Sequence, residues 1–465
     1  MELFGTAGIR GRVTERVTPE LALAVGRAVG GHVAGLDADP EIVIGRDGRT
    51  TGPGLAAAVE AGVLSAGVDA VRAGVLPTPA LAFASRGRHG VMLTASHNPP
   101  TDNGIKCFVD GVEYDREREA AIESAVDADP GPSTWDRWGE TTTADPLDAY
   151  REAVAAYARG HGAPLDGLPV AVDCGNGVGG RATPQVLRAL GARVVTLNGN
   201  VDGHFPGRES KPTPESLRDL RRFVADGAFA FGLGHDGDAD RVVVVDASGE
   251  VVHEDTVLAV LAEHYVRASD APDPVVVTTP NASARIDERV RAAGGRVERV
   301  RLGALHEGIA RVRGAGGTVA FAAEPWKHVH PAFGGWIDGV ASAATFARLV
   351  AAAAPAGDPA GGVAALRAPV TERPYEKVSV DCPDDRKAAV VADLRERLPA
   401  AFPDAAVDTD HGVRLDRPDG SWTLVRPSGT EPYVRIYAEA DPDAIDDLVA
   451  ETVALVREAV DAAGG

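Results

Sequence analysis

One pattern limits what this 465-residue chain can fold into. A β-branched run, a polar or glycine-containing turn, an amphipathic helical stretch, then glycine and a second apolar run occur three times. The first copy goes from Glu41-Ile-Val-Ile-Gly45 through Leu55-Ala-Ala-Ala-Val-Glu60 to Gly67-Val-Asp-Ala-Val71. The second goes from Pro169-Val-Ala-Val-Asp173 through Pro184-Gln-Val-Leu-Arg-Ala-Leu190 to Gly191-Ala-Arg-Val-Val195. The third goes from Pro274-Val-Val-Val-Thr278 through Ile286-Asp-Glu-Arg-Val290 to Gly294-Gly-Arg-Val297. Apolar residues three and four apart make one helical face, and glycine suits the helix end. Strand–helix–strand units of this length imply right-handed crossovers and a mostly parallel sheet. Three copies predict three related α/β domains. After Ala351 to Leu366, an Ala/Gly/Pro stretch expected to be a hinge, the pattern changes to alternation: Lys377 to Asp381, Trp422 to Val425 and Val434 to Tyr437. A helix is expected from Asp441 to Ala463, with Asp441 as its N-cap and Pro442 in its first turn. Ala125 to Thr142 is polar and reads as a linker or edge excursion. Expected domains are 1–145, 146–250, 251–362 and 363–465.

Four strings could carry chemistry. In Thr94-Ala-Ser-His-Asn-Pro-Pro-Thr-Asp-Asn-Gly-Ile-Lys-Cys-Phe108, an apolar run delivers Ser96 and His97 to the end of a strand, where parallel sheets bind ligands. Lys106 follows ten residues after the serine. A serine so placed suits a covalent phosphoryl carrier; the alternative is an Asn/Pro-rich surface turn. In Gly234-His-Asp-Gly-Asp-Ala-Asp-Arg241, three carboxylates alternate with small residues. Asp236, Asp238 and Asp240 with a phosphate oxygen would suit Mg²⁺; a solvated acidic turn is the alternative. An EF-hand fails, because loop positions six and twelve counted from Asp236 hold Arg241 and Ala247. Around Arg426, Ser428, Gly429, Thr430 and Arg435, two guanidiniums, two hydroxyls and glycine N–H groups make a phosphate cradle, or an ordinary hairpin turn with surface arginines. At the N-terminus Gly8 and Gly11 flank Arg10.

Composition closes off other classes. Asp plus Glu total 68 against 47 Lys plus Arg, a net charge of -21, which repels extended polyanions and argues against nucleic-acid partners. Cys107, Cys174 and Cys382 lack CxxC spacing, so a disulfide framework is not expected and a reducing, cytoplasmic setting is. No apolar run reaches membrane-spanning length. None of the five lysines precedes Ser or Thr, which excludes a Walker A loop. GxSxG and HExxH are missing, and the N-terminal string from Phe4 to Gly11 lacks the GxGxxG of a dinucleotide fingerprint. Forty-two arginines against five lysines, with the acidic excess, point to a salt-rich cytosol.

FGTAGIRG, Gly45-Arg-Asp-Gly-Arg49, TASHNPPTDNGIK, DGDADR and RPSGTEP stand in an order that resembles the α-D-phosphohexomutase family over nearly the whole chain. The resemblance implies three related α/β domains with mixed, mostly parallel sheets and a C-terminal α+β, helix-on-sheet domain around a central cleft. It implies that Ser96 carries phosphate, that Asp236, Asp238 and Asp240 with phospho-Ser96 hold Mg²⁺, and that Arg10, His97, Lys106 and Arg241 surround the phosphoryl, with Lys106 and Arg10 as acid and base. Arg426, Ser428, Gly429, Thr430 and Arg435 would clamp the substrate's phosphate. The partner is a small sugar phosphate, handled by a monomer or homodimer through a hexose 1,6-bisphosphate that is also the activator, with closure across the 351–366 hinge.

The third repeat departs from this family. Its sugar loop, usually Glu-x-Ser-Gly-His, reads Glu324-Pro-Trp326-Lys327-His328, and Leu302-Gly303-Ala-Leu305 lacks the family's cation. Glu324, Trp326, Lys327 and Gly303 are the expected sugar contacts. The Glu-Pro start favours a phosphoglucosamine mutase over a phosphomannomutase or phosphoglucomutase. The alternatives of other classes are an Asp-nucleophile phosphatase, carrying phosphate on Asp236 or Asp238, and a silent sugar-phosphate binder. The acidic excess is assigned to the exterior, so thermal melting should rise steeply from dilute buffer to molar KCl while kcat changes less; full folding and activity in dilute buffer would contradict this.

Overall fold

The computed structural model describes residues 3–5, 8–36, 40–428 and 431–464. The chain divides into two compact units, 1–257 with 321–368, and 258–320 with 369–465.

The first unit holds two sheets. The larger runs in the order Ile9–Arg12, Asp102–Val109, His89–Leu93, Glu41–Arg46, Asp69–Val75, Thr141–Thr143, with the short Val112–Glu113 strand on Asp102–Val109. Its centre is parallel, as the first repeat predicts: Glu41–Arg46 pairs with Asp69–Val75 and with His89–Leu93. The Asp102–Val109 strand then returns antiparallel, with Met92 opposite Lys106. This reversal places the serine loop between two buried strands. The 125–142 stretch splits into the end of helix Arg116–Ala128, one 3₁₀ turn at Trp135–Arg137, and an edge strand that closes the sheet.

Helices Pro19–Ala34 and Gly52–Ser65 lie backbone to backbone. Thr18 caps the first, its hydroxyl accepting from the Leu21 N–H. A Cβ on Gly26 would stand 2.2 Å from the Val59 carbonyl oxygen, and one on Gly62 2.3 Å from that of Leu23. The crossing therefore requires glycine at both positions.

The second sheet runs Val242–Asp246, Phe231–His235, Pro169–Asp173, Arg193–Leu197. The second repeat forms its parallel pair, and Phe231–His235 turns back antiparallel into Val242–Asp246. The acidic string is that turn. Helix Gly339–Ala353 is buried from Gly339 to Val350 and starts on Asp338, whose carboxylate accepts from the Ala341 N–H, the Tyr150 hydroxyl and the Trp336 indole N–H.

In the second unit the third repeat gives the parallel pair Pro274–Thr278 and Arg296–Arg299 with helix Ala284–Ala292. The alternating segment is an antiparallel sheet, Tyr375–Asp381, Tyr433–Glu439, Trp422–Pro427, Val413–Asp416, Ala406–Asp408, covered by helices Lys387–Ala401 and Ile445–Ala462. Arg285 joins the two parts through a fully buried pair with Glu439, 2.7 Å, and the Trp422 N–H donates to the same carboxylate. No helix among the described residues is long and apolar enough to cross a membrane.

Two expectations are corrected. The 351–366 stretch is largely helical, because Ala dominates it: one helix runs to Ala353 and a second, Gly361–Arg367, packs on Val350. The chain instead passes between units at Ala368 and Pro369, where a proline stops the helix. The last helix starts at Ile445, four residues later than expected, because the Asp441 carboxylate turns to Arg373, 3.2 Å away, and residues 441–444 form a separate turn.

Gly26→Val should destabilise the first unit by about 1–3 kcal/mol or more through overpacking. Gly31→Ala, where a Cβ meets nothing within 4 Å, should stabilise it by roughly 0.5 kcal/mol. Urea midpoints of the two variants check both signs.

Candidate active site

Ser96 sits at φ +52, a left-handed conformation that a serine adopts only when its surroundings impose it. Those surroundings are visible. Arg49 is fully buried, and its guanidinium donates to the carbonyls of Ser96 (2.9 Å), Asn98 (2.8 Å), Pro99 (2.6 Å) and Asp102 (2.8 Å), while its Nε pairs with Asp47 at 3.0 Å. One side chain thus gathers the carbonyls of the entire serine loop. Asp47 also accepts from the Thr94 hydroxyl, which in turn accepts from the Ser96 N–H. Burial lifts the Asp47 carboxyl to about 6 against the pull of Arg49. Arg49 closes the Gly45-Arg-Asp-Gly-Arg49 string, and its part in holding the loop arises only in the fold, because the carbonyls it binds lie about fifty residues away.

The held serine points its hydroxyl at the acidic turn. Its O–H donates to Asp236 at 2.7 Å, and His97 Nδ1 lies 3.3 Å from the same oxygen. A Cβ on Gly237 would lie 2.6 Å from the Ser96 carbonyl oxygen, so the two loops meet only because that position is glycine. Asp236, Asp238 and Asp240 are buried and bring carboxylate oxygens within 4.8 Å of one another. Thr78 donates to Asp238 at 2.6 Å. Below the turn, His235 takes the Arg241 carbonyl at Nδ1, 2.7 Å, and the Thr183 hydroxyl at Nε2, 2.8 Å. A carbonyl can only accept, so Nδ1 carries the proton and Nε2 accepts. Burial first, then Arg208, hold this imidazole down to about 4, so it stays neutral.

Electrostatics follow from the packing. Burial raises the Asp236 carboxyl well above its usual range, reinforced by Asp240 and Asp238. Burial alone would raise Asp240 too, but Lys106, Lys327, Arg241 and Arg10 override it and hold that carboxylate low. Lys106 Nζ lies 3.0 Å from Asp240, 3.3 Å from Glu113 and 3.9 Å from Asp238. Burial opposes its charge, yet the carboxylates of Glu113, Asp240 and Asp238 raise its pKa and favour the ammonium. Burial, then Arg241 and Arg10, depress His97 to about 3, leaving it neutral. Arg10 Nε and Nη2 and Arg241 Nε are buried with no hydrogen-bond partner, as are one oxygen each of Asp238 and Asp240. Unfilled donors and unfilled acceptors side by side suit an anion and a hard cation together.

Of the sequence-predicted groups, Ser96, His97, Lys106, Arg10, Arg241 and the three aspartates come together here, joined by Glu113, which the sequence did not suggest. Glu324 ends the strand Thr318–Glu324, and Lys327 begins its hairpin partner Lys327–Val329. Trp326, at φ +69, packs against the buried cluster that includes Leu217, Leu220 and Val243. Gly303 forms a turn before helix Leu305–Gly314, at φ +79. In the second unit Arg426 and Arg435 face each other across two strands, and the Ser428 hydroxyl accepts from the Glu431 N–H. Lys387, unforeseen, donates to the Ser428 carbonyl at 2.7 Å. Gly429 and Thr430 lie outside the described residues.

Arg49→Met should cost about 3–5 kcal/mol, because Asp47 is left buried and unpaired. Hydrogen exchange should show the loss concentrated in residues 94–104. Wild-type protection of that loop in the variant would contradict its assigned part.

Residues 1–131, 148–249 and 378–456 match the profiles described as phosphoglucomutase/phosphomannomutase alpha/beta/alpha domain I, alpha/beta/alpha domain II and C-terminal domain. A phosphopentomutase of Thermococcus kodakarensis is 40% identical over 99% of both chains. A probable phosphoglucosamine mutase of Methanopyrus kandleri is 41% identical over 98% of both. A phosphoglucomutase/phosphomannomutase family protein of Burkholderia thailandensis superposes with a TM-score of 0.84 at 27% identity, over 99% of this chain and 97% of that one. With matches covering most of its length and the serine and acidic loops assembled as described, the chain belongs to the α-D-phosphohexomutase family of intramolecular phosphotransferases.

Proposed function

We propose that the protein interconverts the 6-phosphate and 1-phosphate of a hexosamine through phospho-Ser96 and a sugar bisphosphate. The observation that carries this is the buried Ser96 hydroxyl, held in a left-handed conformation 2.7 Å from Asp236 among cations whose donors are unfilled. Phosphoryl transfer needs little more from a protein than alignment and charge neutralisation. In the forward step the bond between phosphorus and Ser96 Oγ breaks as one forms to a sugar hydroxyl oxygen. The hydroxyl's proton leaves and Oγ gains one. Neutral His97, 3.3 Å from Oγ, is placed to pass that proton, while Lys106 keeps its charge beside the aspartates. The reverse step returns the sugar's other phosphoryl to Ser96.

Asp236, Asp238 and Asp240, with a phosphoryl oxygen on Ser96, would hold Mg²⁺, and the orphaned oxygens of Asp238 and Asp240 fit that ion. When bound it supplies positive charge at the transferring phosphoryl. Arg426, Ser428, Gly429, Thr430 and Arg435 form the proposed clamp for the substrate's own phosphate, and Glu324 and Gly303 the proposed sugar contacts. We divide the chain into domains 1–145, 146–250, 251–362 and 363–465. Three free, buried cysteines support a cytoplasmic setting, and the Arg-rich acidic composition a salt-rich one.

The glucosamine preference is supported by the name of the 41% identical relative. A pentose phosphate is the second reading, favoured by the phosphopentomutase name of the 40% relative. Ser96→Ala should lower mutase turnover on the order of a thousandfold; unchanged turnover would end the phosphoserine mechanism. Comparison of kcat/KM on glucosamine, mannose, glucose and ribose phosphates with Mg²⁺ in high KCl decides the sugar. Equal values on the three hexoses would sink the glucosamine preference, and a higher value on ribose phosphate would replace it.

A further inference from the structure

Lys327 occupies a place that its neighbours define. Trp326 anchors the tip of the hairpin: it packs against the buried cluster that includes Leu217, Leu220 and Val243, and its carbonyl accepts from the Val242 N–H. A bulky residue at φ +69 is strained, and that packing is what holds it. The next residue, Lys327, bridges backbone to backbone with Arg241, at the end of the acidic turn. The hairpin is thereby sewn onto the strand that carries the aspartates. The charge of Lys327 is felt by Asp240, Glu113 and His97. Its own ammonium makes no ion pair within 4.0 Å among the described residues, in contrast to Lys106, which three carboxylates surround.

The charges at the site explain why a cation is needed there. Asp236, Asp238, Asp240 and Glu113 face Lys106, Arg10 and Arg241, four carboxyl groups against three cations, and Lys327 adds a fourth positive charge. A divalent cation and a dianionic phosphoryl would cancel each other and leave this count unchanged. Availability matters as much as number. Lys106 is occupied by its carboxylates, and Arg241 Nε lies between Asp236 and Asp240 at 3.7 and 3.8 Å. Arg10, with two unpartnered nitrogens, and Lys327 are the cations left to meet phosphate oxygens. In a chain with five lysines among forty-seven basic residues, a lysine at this point is not a product of composition.

We propose that Lys327, rather than reading the sugar, binds the phosphate at the Ser96 end of the sugar bisphosphate and holds that intermediate on the enzyme while it is bonded to no residue. This rests on the phosphoserine reading above. A bisphosphate freed from Ser96 carries a phosphate at each end and must turn without leaving, so its lifetime on the enzyme depends on cations that are not already paired.

The test uses the full-length enzyme charged with ³²P-phosphate on Ser96, in wild type, Lys327→Met and Lys327→Arg, each first checked by thermal melting. On adding hexosamine monophosphate, label is followed into bound product and into free sugar bisphosphate. Lys327→Met should raise the fraction escaping as free bisphosphate about tenfold, and raise by a similar factor the added bisphosphate needed for half-maximal rate. The ratio of kcat/KM between glucosamine and mannose phosphates should stay unchanged, and Lys327→Arg should restore retention. Unchanged escape with a shifted sugar ratio would make Lys327 a sugar contact, and unchanged escape and ratio would make it idle; either overturns the proposal. If wild-type Ser96 takes no label, the phosphoserine reading itself has failed, which is a separate result.

Discussion

Three buried carboxylates within 4.8 Å of one another repel strongly, and the rest of the first unit is arranged around that repulsion. In a medium less polarisable than water such a cluster persists only with partners. Lys106 supplies one charge from the strand that follows the serine loop, Arg241 another from the turn itself, and Arg10 a third from the N-terminal strand. The compensation is incomplete, since carboxylate oxygens of Asp238 and Asp240 and nitrogens of Arg10 and Arg241 remain unmatched. A fully matched cluster would be an inert salt-bridge network. The mismatch leaves room for a cation and a phosphoryl together.

Holding Ser96 against this cluster requires a rigid loop, and rigidity comes from one side chain. Arg49 spends its planar fork on four loop carbonyls and Asp47, a geometry that a lysine's single ammonium could not reproduce. The strain at Ser96 is therefore offset in the loop's own hydrogen bonds. Trp326 is held in the same left-handed region by a different means, its packing on an apolar core.

Much of the fold was legible in the chain. The three strand–helix–strand repeats came out parallel because their signal is local: a β-branched run and an amphipathic stretch each bury one face, and the short connection leaves one handedness. The serine and acidic strings were legible because their chemistry lies in adjacent residues. What misled was composition. An Ala/Gly/Pro stretch reads as a hinge, yet alanine follows its helical propensity once Val350 gives it a surface. Asp441 reads as an N-cap, yet it is drawn away by Arg373, sixty-eight residues distant. Lys387 gave no signal because it acts on Ser428, 41 residues away, and Glu113 gave none because only the antiparallel turn after Val109 brings it back to Lys106.

By itself, then, the sequence determined the kinds of domain, the serine loop, the acidic turn and the family, because each is written in contiguous residues whose periodicity or spacing has few physical solutions. The tertiary structure alone decided which charges balance which. Asp240, Glu113 and Asp238 favour the charged form of Lys106, burial with Arg241 and Arg10 favours the neutral form of His97, and Lys327 makes no ion pair within 4.0 Å among the described residues. Charge state depends on burial and on distances across the fold, and neither quantity exists until strands from separate parts of the chain have been brought together.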